Sequence, residues 1–260
     1  MASAEHCLMC FEALDAHLDG RKPLSLGHVQ SSWAAYSASG SSLPAGAPAP
    51  RDAALRRVAA DSDSSSSSSL GTPASGSTPA TSTSSLPLGP TSTPLFVTWN
   101  TVSDGDDVSL RGCIGTFEAQ PLSLGIPKYA VISAVDDTRF PAVSREELPT
   151  LQAAVTLLTD FEEVDDPYDW EIGTHGIRLS FGDRARRYGS TYLPDVAAEQ
   201  GWTKDETLFS LIRKAGWMGS RSRWKDLDLK VTRYQGKKCS MEYPQYKRWK
   251  DWAAASKPIQ

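Results

Sequence analysis

The chain has 260 residues, 40% of them hydrophobic, a formal net charge of −4 and four cysteines. So few thiols in a chain this long, two of them close together near the N-terminus, exclude the framework of a small secreted scaffold, and reduced cysteines are expected. Residues 1–20 mix Glu5, His6, Glu12 and Asp15 with apolar positions, which excludes a signal peptide or a membrane-spanning start and points to the cytoplasm, the nucleus or both.

Cys7, Cys10, Phe11, Leu14 and Leu18 fall on one stripe of a predicted helix ending near Gly20, and a second short helix fits residues 23–36. Residues 1–36 are therefore expected to form an N-terminal helical element packed on the domain. From 37 to 94 the composition collapses to Ser, Thr, Pro, Ala and Gly, with too little apolar side chain to offset the entropy of ordering the backbone. That stretch is expected to be a disordered insert. Residues 95–243 form a continuous block of one-domain size, and 244–260 read as a basic tail.

Within the block, residues 95–99 and 108–114 predict a β-hairpin about the Ser103-Asp-Gly-Asp106 turn. Residues 122–135 predict a helix with Pro127 in its first turn, and Ser144-Arg-Glu-Glu147 reads as a capping box that opens a short helix stopped by Pro149. Strands follow at 151–159, 177–181 and 187–193, then two helices bounded by Gly201 and Gly216. A last hairpin is expected through Gln235-Gly236, so the class is α+β, strands punctuated by helices. Charge is uneven: seven acids and no base lie between Asp160 and Glu171, while thirteen bases face five acids from Lys204 to Lys250.

Chemistry concentrates at Arg111-Gly-Cys-Ile-Gly115. Cys113 leaves a strand between Gly112 and Gly115, and Arg111, two residues back, shares its strand face. A guanidinium near a thiol lowers its pKa and makes a nucleophile, but a small hydrophobe packed in a strand also explains the cysteine. His175, in a Gly-flanked turn, is the one histidine outside the N-terminal region and would complete a Cys113–His175 dyad; a loop histidine bonded to backbone is the alternative. Asp137 and Arg139, followed by Phe140-Pro141, suit either a loop anchor or an anion clamp. Thr191 couples a strand to a helix start. Cys7-x-x-Cys10 lacks a second ligand pair, so no metal is expected. The basic, aromatic C-terminal third, with Trp202, Trp217, Trp224, Tyr234 and Trp249, has the composition of a nucleic-acid surface without a recognised signature, and core packing is the preferred reading of those rings.

The segment Leu110-Arg-Gly-Cys-Ile-Gly-Thr116 resembles the signature of the AMMECR-domain family, found from archaea to mammals. The resemblance continues through Leu95-Phe-Val-Thr-Trp99, Asp137-Thr-Arg-Phe-Pro141, Asp169-Trp-Glu171, His175-Gly-Ile177, Thr191-Tyr-Leu-Pro194 and Leu229-Lys-Val-Thr-Arg-Tyr234. It implies a fungal or other eukaryotic member with a mostly antiparallel sheet flanked by helices, a smaller subdomain, and the insert placed between the first helix and the first strand. It implies no established activity and no cofactor; nuclear association is a property of human members. Two functions follow. One is an enzyme with Cys113 as thiolate, His175 as base and Arg111 as the stabilising charge. The other is a non-catalytic module that grips a small molecule, peptide or nucleotide through Arg111, Gly112, Gly115, Asp137, Arg139, Glu171 and Thr191. Nucleic acid is a less favoured partner, and a membrane is not expected.

Overall fold

The structure is a computed structural model, and it describes residues 1–40, 91–103 and 107–256. Most of the expected insert, and the tip of the first hairpin, lie outside the described residues. The insert's expected edges are corrected: helix α2 (Leu26–Ala38) runs past residue 37, and strand β1 (Ser92–Ser103) begins before 94. Both edges carry groups the core uses, since Tyr36 is buried and the Thr93 hydroxyl donates to the Leu158 carbonyl.

Helix α1 (Ala4–Leu18) is buried from His6 to Ala16, on all sides and not only along the expected stripe. It lies against the sheet, α2, α3 (Leu122–Val135) and α6 (Tyr243–Ala255). Two carboxylates are carried inward with it, and each must find partners. Glu12 takes a two-pronged contact from Arg21 and the Leu24 N–H. Asp15 accepts from Arg21 (2.8 Å), Arg145 (2.6 Å), the Tyr246 hydroxyl (2.7 Å) and Lys250. One side chain therefore joins α1, the turn after it, the 3-10 helix Arg145–Thr150 and α6.

The strands β1, β2 (Asp107–Pro121), β3 (Leu151–Val164), β4 (Gly176–Asp183), β5 (Arg186–Tyr192) and β6 (Lys230–Glu242) form a six-stranded antiparallel sheet in the order β2-β1-β3-β6-β4-β5. Alternation sends Leu95, Val97, Trp99, Ala153, Val155 and Leu157 into a first core beneath α1 and α3. A second core gathers Ile177, Leu179, Phe181, Leu208, Leu211, Trp217 and Trp224 between β4–β5, α4 (Pro194–Gln200), α5 (Lys204–Lys214) and the 3-10 helix Arg221–Asp226. The long strands β3 and β6 run through both cores.

Four further expectations are corrected. The hairpin at Gln235-Gly236 does not exist: β6 passes straight through it, paired to β3, and the irregularity lies in β3, where Asp160 has φ 56° and the register shifts between Thr159 and Glu162. Pro127 sits one turn deeper in α3 than expected, because the helix starts at Leu122; likewise Pro149 lies inside the 3-10 helix and does not stop it. The basic tail is α6, whose Tyr246 and Trp249, three apart, are buried against α1.

Asp15 yields a stability prediction. Burial alone would raise its pKa, but the hydrogen bonds from Lys250, Tyr246 and Arg21 outweigh burial and bring it from 3.8 down to about 2. A folded-state value below the unfolded one stabilises the fold above about pH 4, and the contribution is lost as pH falls toward 2. The wild type should lose about 2 kcal/mol over that window in urea titrations. Asp15→Asn should be weaker by about 2–3 kcal/mol at pH 7 and should show that much less acid sensitivity.

Candidate functional site

Strand β2 is a sheet edge, so every second residue turns its N–H and C=O away from β1. At Cys113 those two groups are met by side chains. The Cys113 N–H donates to Asp137 Oδ2 (2.9 Å), and Arg139 Nη2 donates to the Cys113 carbonyl (3.2 Å). The two clamp residues are bound to each other, Arg139 Nε to Oδ1 at 2.9 Å and Nη2 to Oδ2 at 2.6 Å. Burial works against the Asp137 charge, but Arg139 and the Cys113 amide hold its carboxyl below the usual range. Asp137 and Arg139 thus stand in for a neighbouring strand at one residue.

The neighbours of Cys113 have structural duties. A Cβ on Gly112 would lie 1.9 Å from the Ser133 carbonyl oxygen, so its absence lets α3 lie against β2. A Cβ on Gly115 would lie 2.3 Å from Phe96 Cγ, so the Phe96 ring leans over that glycine. Arg111 is the extra residue of a bulge in β2, since Trp99 pairs with Gly112 and Asn100 with Leu110, so the face it was expected to share with Cys113 is not kept; its guanidinium makes a two-pronged contact with Glu147 (2.7 and 3.1 Å) and donates to the Pro141 carbonyl (2.8 Å). It ties the strand to the loop after α3.

The register aligns two rows across four strands: Cys113, Thr98, Ala154 and Ser240, then Gly115, Phe96, Thr156 and Lys238. Because Phe96 leans onto Gly115, space opens beside Thr98 and Thr156. A cavity of about 90 Å³ occupies it, floored by Thr98, Cys113, Thr156, Gly236 and Lys238, and roofed from the second unit by Gly173, Thr174, Leu193, Pro194 and Asp195. Cys113 as a residue is 9% exposed, and the Thr98 hydroxyl donates to its sulfur at 3.2 Å.

Of the residues singled out in the sequence, Cys113 alone lines this cavity. His175 follows the two roof residues, but its Nδ1 accepts the Glu171 N–H (3.0 Å) within its own turn. The Glu171 carbonyl accepts from the Thr174 and His175 amides, and its side chain faces solvent. Thr191 donates to the Ile177 carbonyl and shares a hydrogen bond with the Tyr234 hydroxyl, behind the cavity. Trp217, Trp224, Tyr234 and Trp249 are buried, as the core reading of those rings anticipates. Cys7 and Cys10 are buried in α1, and the Cys7 thiol donates to the Cys239 carbonyl (3.2 Å). Among the described residues no group of His, Cys, Asp or Glu is placed to hold a metal ion, and no helix is long and apolar enough to cross a membrane. Thr98, Thr156, Asp195 and Lys238 were missed in the sequence. Only the register of four strands reveals the strand members of that set, and the false hairpin hid Lys238.

The clamp is testable through stability. Asp137→Ala removes the acceptor of the Cys113 amide and the carboxylate beside Arg139, and should lower unfolding free energy by about 1–3 kcal/mol, with Asp137→Asn, which keeps an acceptor, losing less. Gly112→Ala should lose about 3 kcal/mol, because the atom it meets is backbone.

The sequence model of the AMMECR1 family matches residues 9–239. An uncharacterized protein of Arabidopsis thaliana is 46% identical over 155 residues, covering 59% of this chain and 72% of that protein. An uncharacterized protein of Schizosaccharomyces pombe is also 46% identical over 155 residues, covering 60% and 78%. The crystal structure of an uncharacterized protein from Pyrococcus horikoshii is 34% identical, with a TM-score of 0.47 over 59% of this chain and 76% of that one. These relatives carry no named activity. The family match takes in α1 from Met9 onward, the clamp at Cys113 and the sheet as far as Cys239, and the chain belongs to the AMMECR1 family.

Proposed function

We propose that the chain is a binding protein whose cavity over Cys113 receives the head group of a small molecule or the end of a peptide. The observation that carries this reading is the mixed lining: three threonines, a cysteine, a lysine and an aspartate, walled by Phe96, Leu193 and Pro194. Polar groups on apolar walls are the general make-up of ligand sites. The volume, about that of three waters, suits a head group and not a whole drug-sized ligand. A group with both an acceptor and a donor, such as an amino-acid end, would share Lys238 and Asp195 with the partners those side chains already have. Against a catalytic dyad stand the contacts that engage Arg111 with Glu147 and His175 with Glu171. The reduced thiols favour a cytoplasmic or nuclear setting.

The test is an NMR titration of the full chain with glycine and glycylglycine. Shifts should centre on Thr98, Thr156 and Lys238, and Lys238→Ala should weaken binding about tenfold while Cys113→Ser leaves it unchanged. Equal binding by the wild type and Lys238→Ala would sink the proposal.

A second reading, a thiol-dependent enzyme, draws on the Thr98 hydroxyl aimed at the sulfur, a contact that favours a thiolate. In a Cys239→Ser background iodoacetamide should then modify Cys113 with a midpoint well below ~8.5, the value of a free thiol. Cys10 should stay silent because burial pushes its thiol up, and Cys7 because it is fully enclosed in α1. A midpoint at or above the free value rules out the nucleophile.

A further inference from the structure

The outer face of the second unit carries arginines held on aromatic rings. Arg213 and Arg221 lie over the same Phe209 ring, at 5.4 and 5.1 Å from its centroid. Arg186 lies over Tyr188 at 5.4 Å, and Tyr188 stacks on Phe181 at 5.0 Å. These groups belong to one surface, because the Trp217 indole N–H donates to Asp183 in the β4–β5 turn (2.9 Å) while its carbonyl accepts from Arg213 (3.0 Å). Arg184 stands at the tip of that turn with φ 48°. All four arginines are exposed, and among the described residues none of them makes an ion pair. The nearby acids have other duties: Asp183 holds Trp217, Asp205 holds Lys225, and Glu206, the acid closest in effect to Arg221, caps α5 through Thr203. From Arg213 to Lys225 the sequence has five bases and no acid. Met218, 85% exposed, projects from the middle of this stretch.

We propose that this face binds a single-stranded polynucleotide, independently of the cavity over Cys113. A guanidinium held against a ring has already lost much of its freedom, and it keeps an N–H edge for phosphate and a flat surface for a base. Repeated flat cations around an exposed methionine match a chain that alternates phosphates with planar rings. An acidic peptide would use the charge but not the flat surfaces. The buried tryptophans, nominated by composition, take no part.

The experiment is fluorescence anisotropy of a labelled single-stranded RNA, about fifteen nucleotides and mixed in sequence, with the full chain. Contacts to three or four phosphates predict a log–log salt slope of about −2 to −3. The triple variant Arg186→Ala, Arg213→Ala, Arg221→Ala should lower affinity at least tenfold and flatten the slope by about 2. Arg213 also holds the Trp217 carbonyl, so the double variant Arg186→Ala, Arg221→Ala, which spares that contact, serves as the folding control: it should unfold within a few degrees of the wild type and still flatten the slope by about 1.4. An unlabelled polyglutamate of equal charge should compete at least tenfold less well than the RNA. The proposal is overturned by an absence of binding at about 50 mM salt, by a slope that the triple variant does not change, or by polyglutamate competing as well as RNA, which would assign the face to an acidic protein.

Discussion

A strand at the edge of a sheet has hydrogen-bonding groups with no neighbour, and the way β2 meets that demand organises the candidate site. Water would satisfy the outward groups of Cys113 without fixing their position. The Asp137–Arg139 pair fixes it from the loop after α3, which is itself tied back to β2 by Arg111 through Glu147 and Pro141. The result is a thiol whose backbone is held on both outward groups, with Thr98 across the pair at 3.2 Å. In the pairing type where both outward groups face away from the partner strand, side chains of facing residues approach most closely. The contact between hydroxyl and sulfur thus follows from the same register that leaves the outward groups for the clamp.

The same loop links local geometry to the whole fold. Glu147 accepts from the Ser144 amide as a capping-box residue while binding Arg111, and Arg145, in the same turn, reaches Asp15 in α1. Asp15 in turn engages α6. A disturbance at the N-terminal helix therefore reaches Cys113 through two charged contacts and one short turn, without passing through the sheet. The roof of the cavity comes from elsewhere: residues 173–174 and the start of α4 belong to the second core, joined to the first by β3 and β6. The irregularity at Asp160 lies on this shared stretch, where Phe161 stacks on Tyr234 at 5.0 Å.

How much of this was legible in the sequence depended on the range of the interaction involved. Capping residues spoke clearly, since Ser144 and Thr203 bond to groups three residues away. Apolar periodicity located α1, but not that it is buried all round, because Glu12 and Asp15 look like a solvent face until Arg21, Arg145 and Lys250 are brought to them. The Gln235-Gly236 pair reads as a turn by local propensity, and eleven ladder partners in β3 override it. In the Arg-Gly-Cys-Ile-Gly segment the sequence marked the right residues and mistook most of their work: the glycines admit Ser133 and Phe96, and the arginine anchors a loop.

The face above the first core is nevertheless not what packing alone would select. Beside the Cys113 row lies Asn100, buried opposite Gln152, with its Oδ1 lacking a hydrogen-bond partner among the described residues. An unsatisfied buried acceptor costs about 1–3 kcal/mol, and apolar residues at Thr98, Asn100, Gln152 and Thr156 would avoid such costs. The opposite face of the same strands is apolar at every buried position from Leu95 to Trp99 and from Ala153 to Leu157. A sheet that keeps one face dry and the other polar under a roof gives up stability where it is polar, and what that cost leaves at the cavity is a row of hydroxyls and a thiol in fixed positions.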